Sequence, residues 1–150
     1  MSDVHPPGHV TRNARVGESF ERRVTISADD IRRFAASVED FNPLHHDAAV
    51  AARSRFGALT ASGTHTGSLL LALTATHFSQ HAQPLGLDFS LKFRKAVKAG
   101  DTLRLRWTVT RIEFKPKLDG ELVSLAGDAT NQHGEVALSA TALLLVTDKG

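Results

Sequence analysis

Apolar and polar residues alternate with a period of two through the second half of the chain, and this pattern restricts the fold more than any other feature. Successive side chains of a strand point to opposite faces, so the pattern predicts strands with one apolar face each. Turn sequences at residues 99–101, 118–120 and 131–134 separate these segments, which favours an antiparallel sheet. The alternating apolar residues are Phe89, Leu91 and Phe93; Leu103, Leu105, Trp107 and Val109; Val123, Leu125 and Ala129; and Val136, Leu138, Ala140, Ala142, Leu144 and Val146.

One apolar helix is available to cover the apolar face of that sheet. Ser62 and Gly63 introduce residues 64–78, where Leu69, Leu70 and Leu73 make the predicted helix apolar over much of its circumference. A helix of this kind needs neighbours on several sides. The sequence therefore predicts an α+β fold in which an antiparallel β-sheet wraps around a central α-helix.

The first half supplies a strand and shorter helices. Residues 18–26 are predicted to form the first strand, and Ser27 with Asp30 three residues later is typical of a helix N-terminus. That helix is expected to end before Asn42, because a residue preceding proline avoids the helical conformation. A short helix is predicted over residues 48–53. We expect a flexible N-terminal arm over residues 1–15 and a single domain over residues 16–150.

Composition excludes several classes of function. The 18 basic and 16 acidic residues are scattered, which gives no general attraction for nucleic acid. The absence of cysteine excludes disulfides, thiolate metal sites and a cysteine nucleophile. The eight histidines show no metal-ligand spacing, so no metal is expected. Without an N-terminal apolar run or a stretch of roughly 18 apolar residues, we expect a cytoplasmic protein that does not associate with membranes.

The segment Asp40-Phe41-Asn42-Pro43-Leu44-His45-His46-Asp47 concentrates a carboxylate, an amide and imidazoles around a proline-stiffened turn. A water molecule that is to be activated needs partners of different basicity within hydrogen-bond reach, and a rigid loop holds them there. Taken alone, the segment has an ordinary explanation that is favoured over catalysis, namely an aspartate at a helix end, a loop asparagine and a surface histidine. Three further segments favour the catalytic interpretation.

Four motifs in order resemble the MaoC-like family of hotdog proteins, which contains the R-specific enoyl-CoA hydratases. The family pattern D-x-N-P-x-H-x-D stands here as Asp40, Asn42, Pro43, His45 and Asp47. The start of the central helix at residues 61–66, the strand at residues 93–97 followed by Gly-Asp at 100–101, and the last hairpin at residues 131–135 also resemble the family. The resemblance covers residues 16–146 and implies the hotdog fold.

The resemblance also implies a function. Asp40 and His45 would activate and reprotonate water, Asn42 would fix the loop or contact the substrate, and the backbone N–H of Gly63 would bind the thioester oxygen. The implied reaction is reversible hydration of trans-2-enoyl-CoA to (R)-3-hydroxyacyl-CoA in fatty acid metabolism, which is a hydro-lyase activity. The substrate would be carried on CoA or acyl carrier protein, no metal or redox cofactor would be used, and the enzyme would be a homodimer with active sites between subunits.

Two positions leave alternatives open. Many R-specific hydratases have His-Gly where this chain has Ser62-Gly63, so the contribution of that histidine is absent here or comes from Ser62 or His65. His46 lies beside His45, and the motif spacing favours His45. A hotdog acyl-CoA thioesterase and a non-catalytic acyl-CoA-binding module are the competing functional interpretations.

Overall fold

The computed structural model of the protein describes residues 13–149. Its first half holds β1 (Ser19–Thr25), α1 (Ala28–Ser37), a 3-10 turn (Pro43–His45), α2 (Ala48–Arg53) and the long helix α3 (Gly63–Phe78). Its second half holds β2 (Ala82–Phe93), β3 (Thr102–Lys115), a 3-10 turn (Pro116–Leu118), β4 (Gly120–Thr130) and β5 (Val136–Asp148). The predicted first strand and all three predicted helices are confirmed to within a residue or two at their N-termini.

The five strands form one antiparallel sheet in the order β1-β3-β4-β5-β2. The predicted turns are confirmed, and each contains a residue of positive φ: Gly100 at 93°, Asp119 at 44° and Gly134 at 76°. Glycine adopts such angles without strain, and aspartate tolerates the left-handed region better than most residues. β1 and β2 stand at the two ends of the strand order and are the edges of the sheet.

Helix α3 packs across the inner face of the sheet. Trp107 on β3 is fully buried, and its indole Nε1 donates a hydrogen bond of 2.8 Å to the carbonyl oxygen of Leu70. Gly127 lies opposite Trp107 on β4, where a Cβ atom would come within 2.5 Å of the indole. The apolar face predicted from the alternation is thus the core, and the predicted sheet around a single helix is confirmed.

Strand β2 differs from its expected form. The alternation begins at Phe89, but the strand begins at Ala82 and passes through Pro84, with an irregularity between Gly86 and Asp88. Proline and a bulge are tolerated because β2 is an edge strand, where one side of the backbone needs no partner. Phe93, expected on the buried face, is 58% exposed, because it is the last residue of β2 and lies at the margin of the sheet.

The predicted N-terminal arm falls largely outside the described residues, since the description starts at Asn13. Of its last residues, Ala14 is buried in the core and the Asn13 side chain donates a hydrogen bond of 2.9 Å to Asp148. Within residues 13–149, no helix is long and apolar enough to cross a membrane.

Candidate functional site

A tight reversal after α1 brings Asp40 into position. The chain leaves the helix through Glu39, whose φ of 60° is left-handed, and the backbone N–H of Asp40 donates to Ala35 O at 2.8 Å. The carboxylate then accepts a hydrogen bond of 3.2 Å from the N–H of Asn42 through Oδ1. Its second oxygen, Oδ2, is left for other contacts, and the side chain is 34% exposed.

Asn42 and Asp47 stabilise the two turns of the motif. The Asn42 side chain accepts a hydrogen bond of 3.1 Å from Leu44 N and caps the 3-10 turn that begins at Pro43. The Asp47 carboxylate caps α2 by accepting from the backbone N–H groups of Ala49 and Val50. Asparagine and aspartate are preferred at these positions because a short polar side chain reaches the unpaired N–H groups of a helix start. Both residues therefore fix the loop geometry around His45.

His45 is held in one tautomer. Its ring is buried, and Nδ1 lies 2.6 Å from the carbonyl oxygen of Thr60. A carbonyl oxygen only accepts, so Nδ1 carries a proton. The opposite nitrogen, Nε2, lies 3.3 Å from Oδ2 of Asp40. In the neutral ring, Nε2 therefore presents a lone pair beside a carboxylate oxygen, and a proton donor is needed to satisfy both atoms.

His46 has a different role. Its Nε2 is 2.7 Å from the backbone carbonyl oxygen of Asp40, and donation to that oxygen closes the loop. The ring lies beside Phe41, with centroids 6.0 Å apart. The two adjacent histidines thus contact Asp40 through different groups, since His45 faces the carboxylate and His46 binds the backbone. This geometry agrees with the assignment that the motif spacing favours.

The start of α3 adjoins this pair through the chain itself. Thr60, the backbone partner of His45, lies two residues before Ser62, which caps the helix by accepting a hydrogen bond of 3.3 Å from His65 N. Ser62 is buried, and its hydroxyl also lies 3.2 Å from that of Thr64. Ser62 is therefore the N-cap of α3, and its hydroxyl is engaged within the first helical turn.

Gly63 is the first residue of α3 and faces a groove of about 390 Å³. Its N–H precedes the repeating hydrogen bonds of the helix, and no acceptor for it lies within residues 13–149. A Cβ atom at Gly63 would come within 3.0 Å of the Phe93 ring, which forms one wall of the groove. Neither Asp40 nor His45 is among the groove-lining residues in the described part of this single chain.

His65 lies one turn inside α3 and is buried. Its ring stacks on Phe34 with centroids 4.5 Å apart, and its Nδ1 has no hydrogen-bond partner within the described residues. Burial lowers the pKa of His65; the Asp30 carboxylate opposes this shift, and His45 adds to it. Burial therefore favours the neutral form of this largely enclosed imidazole. Its place in an apolar helix was the available sequence signal for this burial.

No group of three or more His, Asp or Glu side chains within residues 13–149 is arranged to hold a metal ion. The structure brings Asp40 and His45 together on the loop, and it places the Gly63 N–H separately at the start of α3.

The family model described as MaoC-like domain matches residues 12–126. The (R)-specific enoyl-CoA hydratase of Aeromonas caviae is 29% identical over 134 residues, which are 89% of this chain and 96% of that protein. The 3-hydroxybutyryl-CoA dehydratase of Methylorubrum extorquens is 31% identical over 87 residues, and this match covers 58% of the chain but only 55% of that longer protein.

Among solved structures, the unliganded R-hydratase of Pseudomonas aeruginosa superposes with a TM-score of 0.80 at 31% identity, over 91% of this chain and 84% of that one. The hotdog fold predicted from the sequence is confirmed by this similarity.

Proposed function

This chain belongs to the MaoC-like domain family of hydratases and dehydratases, and from that premise we propose that it hydrates trans-2-enoyl-CoA reversibly to (R)-3-hydroxyacyl-CoA. The relatives named as hydratases and dehydratases are hydro-lyases. The proposed function implies a cytoplasmic enzyme of fatty acid metabolism that uses no metal or redox cofactor.

The observation that carries the proposal is the distance of 3.3 Å between Nε2 of His45 and Oδ2 of Asp40. With Nδ1 donating to Thr60 O and the ring in its neutral form, both of these atoms are acceptors, and a proton donor between them would satisfy both. A water molecule there would donate one proton to each acceptor, which leaves its oxygen free to attack. Asp40 and His45 would act as a general base and a proton relay on this water.

Addition of water to an enoyl thioester has two further requirements. The water oxygen bonds to the β-carbon, the proton taken from water is delivered to the α-carbon, and negative charge collects on the carbonyl oxygen in between. The N–H of Gly63, reinforced by the positive end of the α3 dipole, would stabilise that charge. Glycine suits this position because any larger side chain would intrude on the groove against Phe93. Asn42 would support the loop, and Ser62 would support the helix start.

We propose that the active form is a homodimer. Edge strand β2 carries exposed apolar residues, with Leu85 58%, Leu87 49% and Phe93 58% exposed. Pairing of two β2 edges would cover these side chains and complete the hydrogen bonding of both strands. The separation of the groove from the Asp40-His45 pair in a single chain supports a site completed by a second subunit. Light scattering at micromolar concentration is expected to give a dimer, and a stable, fully active monomer would refute this part of the proposal.

The reaction is tested with short and medium trans-2-enoyl-CoA esters. Loss of the conjugated double bond and release of free thiol are followed in parallel, and the configuration of the hydroxyacyl product is determined. We expect loss of the double bond without thiol release, together with an R product. Thiol release would identify a thioesterase, and binding with neither change would identify a non-catalytic acyl-CoA-binding module.

The residue assignment is tested with Asp40→Asn, which keeps the shape but removes the acceptor charge. A loss of about 10² or more in kcat is expected from removal of a positioned base. The matched control is Asp47→Asn, in which the amide oxygen still caps α2. If both variants lose activity equally, the loop acts through its fold and the assignment of Asp40 is wrong.

A further inference from the structure

The face of the sheet turned away from α3 contains a row in which two arginines lie directly opposite one another. Arg104 on β3 pairs in register with Arg23 on β1 and with Thr130 on β4. Like charges directly opposite on neighbouring strands destabilise a sheet. The row therefore concentrates two guanidinium groups without a carboxylate among its own members.

The adjacent row on the same face has the opposite composition. Arg106 lies between Glu21 on β1 and Asp128 on β4. Its Nε also donates a hydrogen bond of 3.0 Å to the hydroxyl of Ser19. The sheet thus surrounds Arg106 with acceptors, whereas it surrounds Arg104 with a second arginine and a threonine.

Arg104 is also only partly accessible to water. Its Nε is buried and has no hydrogen-bond partner, and across residues 13–149 neither Arg104 nor Arg23 forms an ion pair. Asp128 lies diagonally from Arg104 and has a buried oxygen of its own without a partner, but the two side chains form no ion pair. A buried donor of a charged group is normally satisfied, so the Nε of Arg104 is left with no acceptor among residues 13–149.

A cavity of about 370 Å³ opens over this row. Arg23 and Arg104 line it together with the hydroxyl-bearing Thr102 and Thr130 and the hairpin residue Gln132. The Gln132 amide is held on both sides, since Nε2 donates to Asp101 Oδ1 at 2.8 Å and Oε1 accepts from Thr102 N at 3.1 Å. The rim of the cavity is therefore built before any ligand binds. Asp128 is not among its lining residues.

We propose that this cavity binds a phosphate group as a dianion. Two guanidinium groups match the charge of a phosphate dianion, and their planar forks pair with its oxygens in a bidentate manner. The hydroxyl of Thr130 is placed in the same row to donate to a third oxygen. The phosphate has two possible sources, namely inorganic phosphate and the terminal phosphomonoester of a larger ligand such as CoA.

The test uses the full chain and inorganic phosphate at constant ionic strength, with chloride as the reference anion. Phosphate is expected to raise Tm and to bind in calorimetry, and Arg104→Gln is expected to weaken that affinity at least about tenfold, as loss of a charge-assisted pair implies. The matched control is Arg106→Gln, on the same strand and face, which should change phosphate affinity by less than about twofold.

Arg23→Gln supplies a second measurement, in which Tm is expected to rise in chloride, and the exposed side chain of Arg23 can be replaced without disturbing the core. Relief of the arginine repulsion should raise Tm in chloride, while the additional rise in phosphate should be lost. The proposal is overturned if phosphate gives no more stabilisation than chloride, or if Arg106→Gln lowers affinity as much as Arg104→Gln.

The source of the phosphate is decided by comparing CoA with dephospho-CoA, which lacks the 3′-phosphate. If CoA binds more tightly to the parent protein and Arg104→Gln removes the difference, the cavity holds that phosphomonoester. If the two bind equally while inorganic phosphate still binds through Arg104, the cavity holds the free anion. Either result supports the phosphate site and is independent of whether the hydration reaction proceeds.

Discussion

Replacement of the adjacent histidines His45 and His46 by alanine is expected to have different consequences, although the two residues are neighbours of the same type. His45 presents Nε2 to Asp40 Oδ2 at 3.3 Å, at the position proposed for the reacting water. His46 contributes one hydrogen bond of 2.7 Å to the Asp40 carbonyl oxygen. The first variant should therefore lose catalysis, and the second should lose stability of the loop.

The sizes of the two effects follow from these contacts. A positioned acid or base contributes about 10² to 10⁴ in rate, so His45→Ala should raise the activation barrier by about 2.7 to 5.5 kcal/mol. One intramolecular hydrogen bond contributes about 0.5–1.5 kcal/mol net, so His46→Ala should lower the free energy of unfolding by about 1 kcal/mol. If all of that loss opened the loop, kcat would fall by less than roughly tenfold.

Enoyl-CoA hydration rates and urea unfolding curves are measured for both variants, and each rate is referred to the folded fraction. His45→Ala also removes the buried bond to Thr60, so its stability is expected to fall as well. The reasoning is refuted if His46→Ala abolishes turnover in folded protein while His45→Ala retains the parental rate.

Other perturbations address the helix start, the buried imidazole and the core. Gly63→Pro removes the proposed N–H donor and should lower kcat by roughly 10² to 10³. The control Gly63→Ala keeps the N–H and requires only that the exposed Phe93 ring shift. Similar values of kcat for the two variants would exclude the N–H contact. Because burial lowers the pKa of His65 from its usual 6.5, the unfolded chain binds a proton at this imidazole more readily than the folded protein does. The free energy of unfolding should therefore fall as the pH drops below about 6.5. Urea titrations at successive pH values should show a shallower decline for His65→Leu, and an unchanged decline would contradict this assignment. Trp107→Phe removes the hydrogen bond to Leu70 O and leaves a void, so the free energy of unfolding measured in urea should fall by about 2–3 kcal/mol. A fall of less than about 0.5 kcal/mol would mean that the core repacks around the smaller ring.

The elements of the fold were predictable because their signals are local. The capping box of Ser27 and Asp30 is seen as predicted, and α2 covers residues 48–53 as predicted. Period-two alternation specified β3 and β5, since one face of each is buried against α3. The start of β2 was not predictable in this way. The free side of an edge strand has no neighbouring strand, and much of the surface of β2 is exposed. Pro84 and the irregularity after Gly86 therefore interrupt the alternation of apolar and polar residues, but the strand continues through them.

The candidate site likewise has a part that local sequence predicted and a part that depends on contacts between distant segments. The sequence motif predicted that Asp40, Asn42 and His45 lie close together, because short spacing on a proline-stiffened loop keeps those residues near one another. The tautomer of His45 depends on the carbonyl of Thr60, fifteen residues further along the chain. No sequence pattern specifies that contact, because it depends on how the segment before α3 packs beside the loop.

Sequence by itself predicted the helices, their caps, the turns and most of the strand residues, and it singled out the short motif on which the function is proposed, because backbone conformation and side-chain periodicity act over a few residues. Tertiary structure alone decided that Nδ1 of His45 donates to Thr60 O, that His65 is enclosed, and that Arg23 lies opposite Arg104. Those outcomes depend on strand register and helix packing. A shift of one residue in register would turn every side chain of a strand to the other face of the sheet.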